Sequence, residues 1–170
     1  MYHIKKAKFE DVKGILDIYN EGIRDRIATL ETDEKDLEYM SKWYLTRDRR
    51  YAVLVAKDEC GIVGWASLNP YSHRSAYRSV ADLSVYIRRD LRGKGIGKRL
   101  LEEIDKVALE NGFHKIVLFT FPFNQAGQKL YRNMGYREVG VFREQGELDG
   151  KRVDVMAMEK LLGVKENGDQ

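Results

Sequence analysis

The 170-residue sequence predicts a layered α/β domain, an α+β mixed sheet flanked by helices. Three observations point there. β-rich runs come in consecutive sets, which favours antiparallel pairing. Two amphipathic helical stretches precede the second of these runs. One strand–glycine–helix–strand crossover, Val80 to Phe121, makes the sheet mixed rather than purely antiparallel. The expected order is β-α-α-β-β-β-α-β-α-β-β. It forms a single domain over 1–162, with a polar tail over 163–170 that carries no turn or periodic signal.

Tyr2 to Lys6 reads as a short strand. Phe9, Val12, Ile15, Leu16, Tyr19 and Ile23 recur at helical spacing, so a helix is expected from about Glu10 to Arg24. Thr32 or Asp33 is a candidate cap for a second helix whose apolar face is Leu37, Met40, Trp43 and Tyr44. Tyr51 to Ala56 and Ile62 to Leu68 flank the polar loop Lys57 to Gly61 and read as an antiparallel hairpin. A longer loop, Asn69 to Arg78, follows. Strand Val80 to Ile87 leads into a glycine segment, and the next helix aligns Ile96, Leu100, Ile104, Val107 and Ala108 before stopping at Asn111-Gly112. Lys115 to Phe121 shows no regular alternation and reads as a buried strand. Asn124 to Met134 reads as a helix stopped by Gly135. Strands Tyr136 to Phe142 and Val153 to Glu159 close the chain around a turn at Leu148 to Lys151.

Composition narrows the function classes. A net charge of +3 suits an anionic ligand but is too mild to argue for nucleic acid. One cysteine, Cys60, allows neither a disulfide framework nor a cysteine metal site within one chain, and it reads as a turn residue. His3, His73 and His114 are scattered, so no metal is expected. MYHIKKAKFEDV holds no long apolar run. Neither a signal peptide nor a membrane span is expected, and a cytoplasmic protein is the default.

The chemistry concentrates in RRDLRGKGIGKRLL, Arg88 to Leu101. Glycines at a helix N-terminus offer free N–H groups and the positive end of the helix dipole, a site for phosphate. Arg92, Lys94, Lys98 and Arg99 add charge. The spacing G-x-G-x-G fits neither the dinucleotide fingerprint nor the P-loop. It does fit R-x-x-G-x-G over Arg92-Gly93-Lys94-Gly95-Ile96-Gly97. The preceding strand carries the apolar-x-apolar run Val85-Tyr86-Ile87. Downstream, Asn124 to Tyr136 (NQAGQKLYRNMGY) matches N-x-x-A/S-x-x-L-Y-x-x-x-G-F/Y, except that the small residue falls at Ala126 or Gly127.

On these motifs the chain resembles the GNAT superfamily of N-acetyltransferases over about residues 1 to 160. The resemblance implies a central mixed, mostly antiparallel sheet and acetyl-CoA as acetyl donor. It implies that Val85, Tyr86, Ile87, Arg92, Gly93, Lys94, Gly95, Ile96, Gly97, Lys98 and Asn124 hold the coenzyme. Ile18-Tyr19-Asn20, Ala28 to Thr32, Ala76 to Ile87 and Gly150 to Leu162 further resemble the phosphinothricin acetyltransferase branch. That branch acetylates the α-amine of small amino-acid analogues such as phosphinothricin and methionine sulfoximine, and the resemblance implies a homodimer.

Acetyl transfer to an amine needs a base for the ammonium, polarisation of the carbonyl, and stabilisation of the leaving thiolate. The branch carries a glutamate as base where this chain has Asp82. An aspartate is one methylene shorter, which favours action through a water. Asp82 also reads as a surface strand carboxylate or as a structural partner for Arg78. Tyr131 sits where many superfamily members have a tyrosine near the coenzyme sulfur, and where the branch often has histidine. It reads equally as packing beside Leu130. Asn124 reads as a helix cap. Arg74, Tyr77 and Arg78 are candidate ligands for a substrate carboxylate, or solvated loop charges. Tyr19, Thr29 and Glu31 are candidate linings of the acceptor pocket. Two rival functions stay open: acetylation of a protein or antibiotic amine, and non-catalytic sensing of an acyl-CoA.

Overall fold

A computed structural model of the protein describes residues 1–163; the predicted tail therefore lies outside the described residues except for Gly163. Seven strands form one sheet in the order β1-β2-β3-β4-β5-β7-β6. They are β1 His3–Lys6, β2 Val53–Asp58, β3 Gly61–Pro70, β4 Val80–Ile87, β5 Lys115–Thr120, β6 Arg137–Leu148 and β7 Lys151–Leu161. Every neighbouring pair is antiparallel except β4 and β5. The single parallel pair is the crossover read from the sequence.

Among the described residues, four α-helices cover the sheet: α1 Val12–Asp25, α2 Leu37–Leu45, α3 Ile96–Glu110 and α4 Gln125–Asn133. On one face α3 buries Ile96, Leu100, Leu101 and Ile104 against Leu54, Ala66, Leu68, Leu83 and Ile116. On the other, α1 and α2 bury Val12, Ile15, Ile18 and Met40 against Val53, Val55 and Trp65. From Gly64 onward the alternation of β3 divides its side chains between the two cores, past an irregularity that also turns Val63 to the α3 side. Ala66 and Leu68 join the α3 side; Trp65 joins the α1 side.

The predicted order of elements is the observed one. Several boundaries shift by one or two residues, and three details differ by more than that or in kind. The cap of α2 is Asp36, whose carboxylate accepts from Tyr39 N–H at 2.8 Å, rather than Thr32 or Asp33. This carboxylate sits immediately before the first helical residue, where capping geometry requires it. β6 runs six residues beyond Phe142, to Leu148, and β7 begins at Lys151. β6 is an edge strand, exposed over most of its length, so its sequence carries no burial alternation to mark its end.

Candidate active site

The site is built where β4 loses a neighbour. β4 pairs with β3 along its whole length, from Pro70↔Ala81 to Gly64↔Ile87. It pairs with β5 only from Val80↔Lys115 to Asp82↔Val117. Beyond Asp82 the two strands splay. Arg88 N–H donates to Val63 O at 2.9 Å, which sets the alternation on β4. Tyr86 and Ser84 turn their backbone groups to β3, so the N–H groups of Val85 and Ile87, past the last pairing with β5, are left on the side of the missing strand. Free amides in a strand are uncommon and need a partner.

A cavity of about 210 Å³ fills the split. Asp82, Val85, Tyr86, Thr29, Asn124 and Tyr131 are among its lining residues. A second cavity, of about 520 Å³, lies on the α1/α2 side and shares Ser84 and Tyr86 with the first. Tyr19, Trp43, Arg47, Trp65, Ser67 and Asn69 also line it. β4 thus separates two chambers, and the side chains Asp82, Ser84 and Tyr86 follow one another at period two.

Asp82 is half-buried, and desolvation raises its carboxyl from an ordinary 3.8 to about 6, against the pull of an Asn69 hydrogen bond. Asn69 Nδ2 donates to Asp82 Oδ2 at 3.4 Å and to Ser84 Oγ at 3.1 Å. Among the described residues Asp82 has no ion pair, so the alternative of an Arg78 partner is not formed. Tyr131 packs edge-on against Tyr136, and burial raises its phenol to about 12. Asn124 caps α4: its Oδ1 accepts from Gly127 N–H at 3.1 Å, while its Nδ2 donates to Thr120 Oγ1 at 3.3 Å.

The glycine segment enters α3 with Gly93 at φ +75° and Gly95, the N-cap, at φ +87°. Both lie in the left-handed region that side chains resist. The segment and Lys94 are exposed, so the first amides of α3 are open to a ligand. Gly97 is different. A Cβ there would come within 2.9 Å of Leu130 Cδ2, so this glycine lets α4 close onto α3. Lys98 is exposed and Ile96 is buried beneath the turn. Arg92 does not hang free. Its Nη1 pairs with Asp25 at 2.7 Å and its Nε donates to Ile87 O at 3.2 Å. Arg89 grips the same carboxylate at 2.5 Å, and its hydrogen bond is the largest cause holding Asp25 below the usual range. Arg92 therefore fastens the cradle to α1.

These features fit a pyrophosphate-bearing thioester ligand: bare amides at a helix start, further amides along β4, and a cavity between them. The predicted cradle comes together as a unit. The predicted substrate residues do not. Tyr19 lines the larger cavity and Thr29 the split, but Glu31 is exposed and paired with Lys35 at 2.9 Å. Arg74, Tyr77 and Arg78 lie on the exposed loop before β4 and line neither cavity; Tyr77 stacks edge-on with Tyr71. Sequence reasoning missed Arg47, Asn69 and Ser84. Ser67 and Asn69, polar residues two apart in an apolar strand, were the available signal.

The family model described as acetyltransferase (GNAT) family matches residues 15–136. The chain belongs to the GNAT family of acetyltransferases. It is 33% identical over 158 residues to the L-methionine sulfoximine/L-methionine sulfone acetyltransferase of Pseudomonas aeruginosa, covering 92% of each chain. A GNAT phosphinothricin acetyltransferase from Sinorhizobium meliloti, solved in complex with acetyl-CoA, superposes with TM-score 0.89 at 28% identity. That match covers 98% of this chain and 94% of the other. A ribosomal-protein-alanine N-acetyltransferase from Brucella melitensis gives TM-score 0.90 at 33% identity, over 94% of this chain and 99% of the other. The chain is thus an acetyltransferase of GNAT architecture, with acetyl-CoA as the co-substrate its cradle fits. Among the described residues, no helix is long and apolar enough to cross a membrane.

Proposed function

We propose that this GNAT enzyme transfers acetyl to the α-amine of a small amino-acid analogue of the phosphinothricin or methionine sulfoximine type. Transfer is by direct attack in a ternary complex. The observation that carries the reading is the end of β4–β5 pairing at Asp82, which puts a carboxylate, unpaired amides and Tyr131 around one split. The 33% identity to the Pseudomonas methionine sulfoximine enzyme supports the acceptor class.

When bound, acetyl-CoA supplies the acetyl thioester. The chain supplies the rest. Asp82 takes the proton of the acceptor ammonium. A free α-amine titrates near ~8, and a carboxyl at about 6 lies within about two units of it rather than four. The N–H groups of Val85 and Ile87 face the split, where they can donate to a developing oxyanion. The Tyr131 phenol, at about 12, is a weaker acid than a thiol near ~8.5. It therefore steadies a departing thiolate chiefly by donating a hydrogen bond, not by giving up its proton completely. Tyr131→Phe is expected to lower kcat about 10- to 100-fold with little change in the KM for acetyl-CoA. Unchanged kcat in a steady-state assay would reduce Tyr131 to packing. A homodimer belongs to the same reading, supported by exposed Val139, Val141 and Phe142 along β6.

The test of acceptor class is release of coenzyme A thiol with a panel: phosphinothricin, methionine sulfoximine, methionine sulfone, an aminoglycoside and an N-terminal peptide. Turnover confined to the amino-acid analogues is expected. The Brucella neighbour favours a second reading, acetylation of a protein N-terminus. Turnover with the peptide alone would establish it instead.

A further inference from the structure

The larger cavity is walled by aromatic rings, yet one cation lines it. Arg47, just past the end of α2, lies 4.3 Å from the Trp43 ring centroid. Its Nε donates to Tyr51 O at 2.8 Å, and its Nη2 to Leu68 O at 2.7 Å and Asn69 Oδ1 at 3.1 Å. All three acceptors are neutral. Among the described residues no carboxylate pairs with Arg47, and its Nη1 donates to nothing. Asp48 also lines the cavity, but its Oδ1 accepts from Arg50 N–H at 2.9 Å. Burial draws the guanidinium down only to about 10, so it stays charged at neutral pH. A half-buried cation without a counter-charge is an expensive thing to keep for packing alone. The wall carries a second unsatisfied donor: the buried Trp65 Nε1 has no acceptor among the described residues.

Asn69 connects this cation to the chemistry. Its Oδ1 receives Arg47 Nη2 and Ser67 Oγ, and its Nδ2 reaches Asp82 and Ser84. The amide is thereby fixed in one orientation between cation and base. We propose that Arg47 is the anchor for an oxyanion of the acceptor, a carboxylate or phosphinate, with Nη1 as the free donor and Asn69 holding the anchor in register with Asp82. An acceptor so held lies in the chamber whose Ser84 and Tyr86 also line the split, and Asn69 links its anchor to Asp82. This assignment rests on the amino-acid reading above, and it puts the anchor at Arg47 instead of the exposed Arg74 and Arg78.

Arg47→Gln and Arg47→Lys would be compared with the wild type on methionine sulfone, its carboxamide, and phosphinothricin. The wild type is expected to favour the free acid over the carboxamide. Arg47→Gln is expected to lose about 10- to 100-fold in kcat/KM on the acid, mostly through KM, and little on the carboxamide. Arg47→Lys keeps the charge without the fork and should fall between. The KM for acetyl-CoA and the melting temperature report whether the fold survived. A loss confined to phosphinothricin would still support the anchor and identify the phosphinate as the anion held. Equal losses on acid and carboxamide, or no change on either, would overturn the assignment while leaving an active amino-acid acetyltransferase. A wild type inactive on every amino-acid analogue would remove the functional reading, and this inference with it.

Discussion

Asp82→Asn is expected to disable the enzyme and stabilise it at the same time. Removing the proposed base should lower kcat/KM about 10²- to 10⁴-fold at neutral pH. In the wild type, kcat/KM should fall as pH drops through about 6, because the proposed mechanism uses Asp82 as the carboxylate. The variant should lack that acid limb. Stability moves the other way. Desolvation raises the native carboxyl from 3.8 to about 6, so folding with a charged Asp82 is opposed at any pH above about 6. The opposition fades as the native carboxyl takes up its proton below that value, and it is gone once the unfolded chain is also protonated, below ~4. Two pKa units correspond to roughly 3 kcal/mol; partial solvation and the exchanged Asn69 bond bring the expected gain to about 1–3 kcal/mol. For 170 residues this is a rise of about 2–10 °C in Tm. Melting curves at pH 8 and pH 4 check it: the gain should appear at pH 8 and close at pH 4. A variant less stable than wild type at pH 8 would mean that Asp82 is held by interactions its Asn69 contact does not reveal.

The sequence displays those parts of the site whose requirements are local. The cradle motif was legible because its requirement is local: alternating glycines, a helix start and a strand end lie within one stretch, Val85 to Lys98. Its three glycines do two jobs, though, and spacing alone does not separate the positive φ of Gly93 and Gly95 from the tight packing of Gly97 on Leu130. The core was legible for the same local reason, since period and length set α1, α3 and the β2–β3 hairpin. The splay was not. It depends on where pairing between β4 and β5 stops, and those strands are separated by a whole helix. Arg47 and Asn69 were hidden too. Each looks like an ordinary loop or strand polar residue until β3, β4 and the end of α2 meet, 22 residues apart in the chain for their mutual contact. Arg74 and Arg78 show the converse. They carry the right chemistry in a loop adjacent to the site, but adjacency in sequence to β4 does not place them on either cavity.

Gly95→Val is expected to weaken acetyl-CoA binding far more than loss of a neighbouring charge does. Gly95 is the N-cap of α3 at φ +87°, and a Cβ added there meets nothing within 4 Å. No clash therefore operates; the whole effect is backbone. A β-branched residue in that region is strained by about 1–3 kcal/mol, and the loop relieves the strain by turning its peptide planes. Those planes carry the amides proposed to hold the coenzyme. Hydrogen bonds to charged groups contribute about 1.5–3 kcal/mol each, so misdirecting one or two raises the KM for acetyl-CoA about 100-fold. The fold should persist, because α3 is held by Leu100, Leu101 and Ile104, all fully buried. Lys94→Ala sets the scale for simple charge. Lys94 is exposed, its attraction to phosphate is screened by salt, and its loss should shift KM by less than about tenfold. Titrating acetyl-CoA against both variants at low and at physiological ionic strength separates the two contributions. The Gly95→Val defect should be nearly independent of salt, and the Lys94→Ala defect should shrink as salt rises. If the two variants instead lose affinity equally and both defects vanish with salt, then the basic surface of the segment holds the coenzyme and its shaped backbone does not.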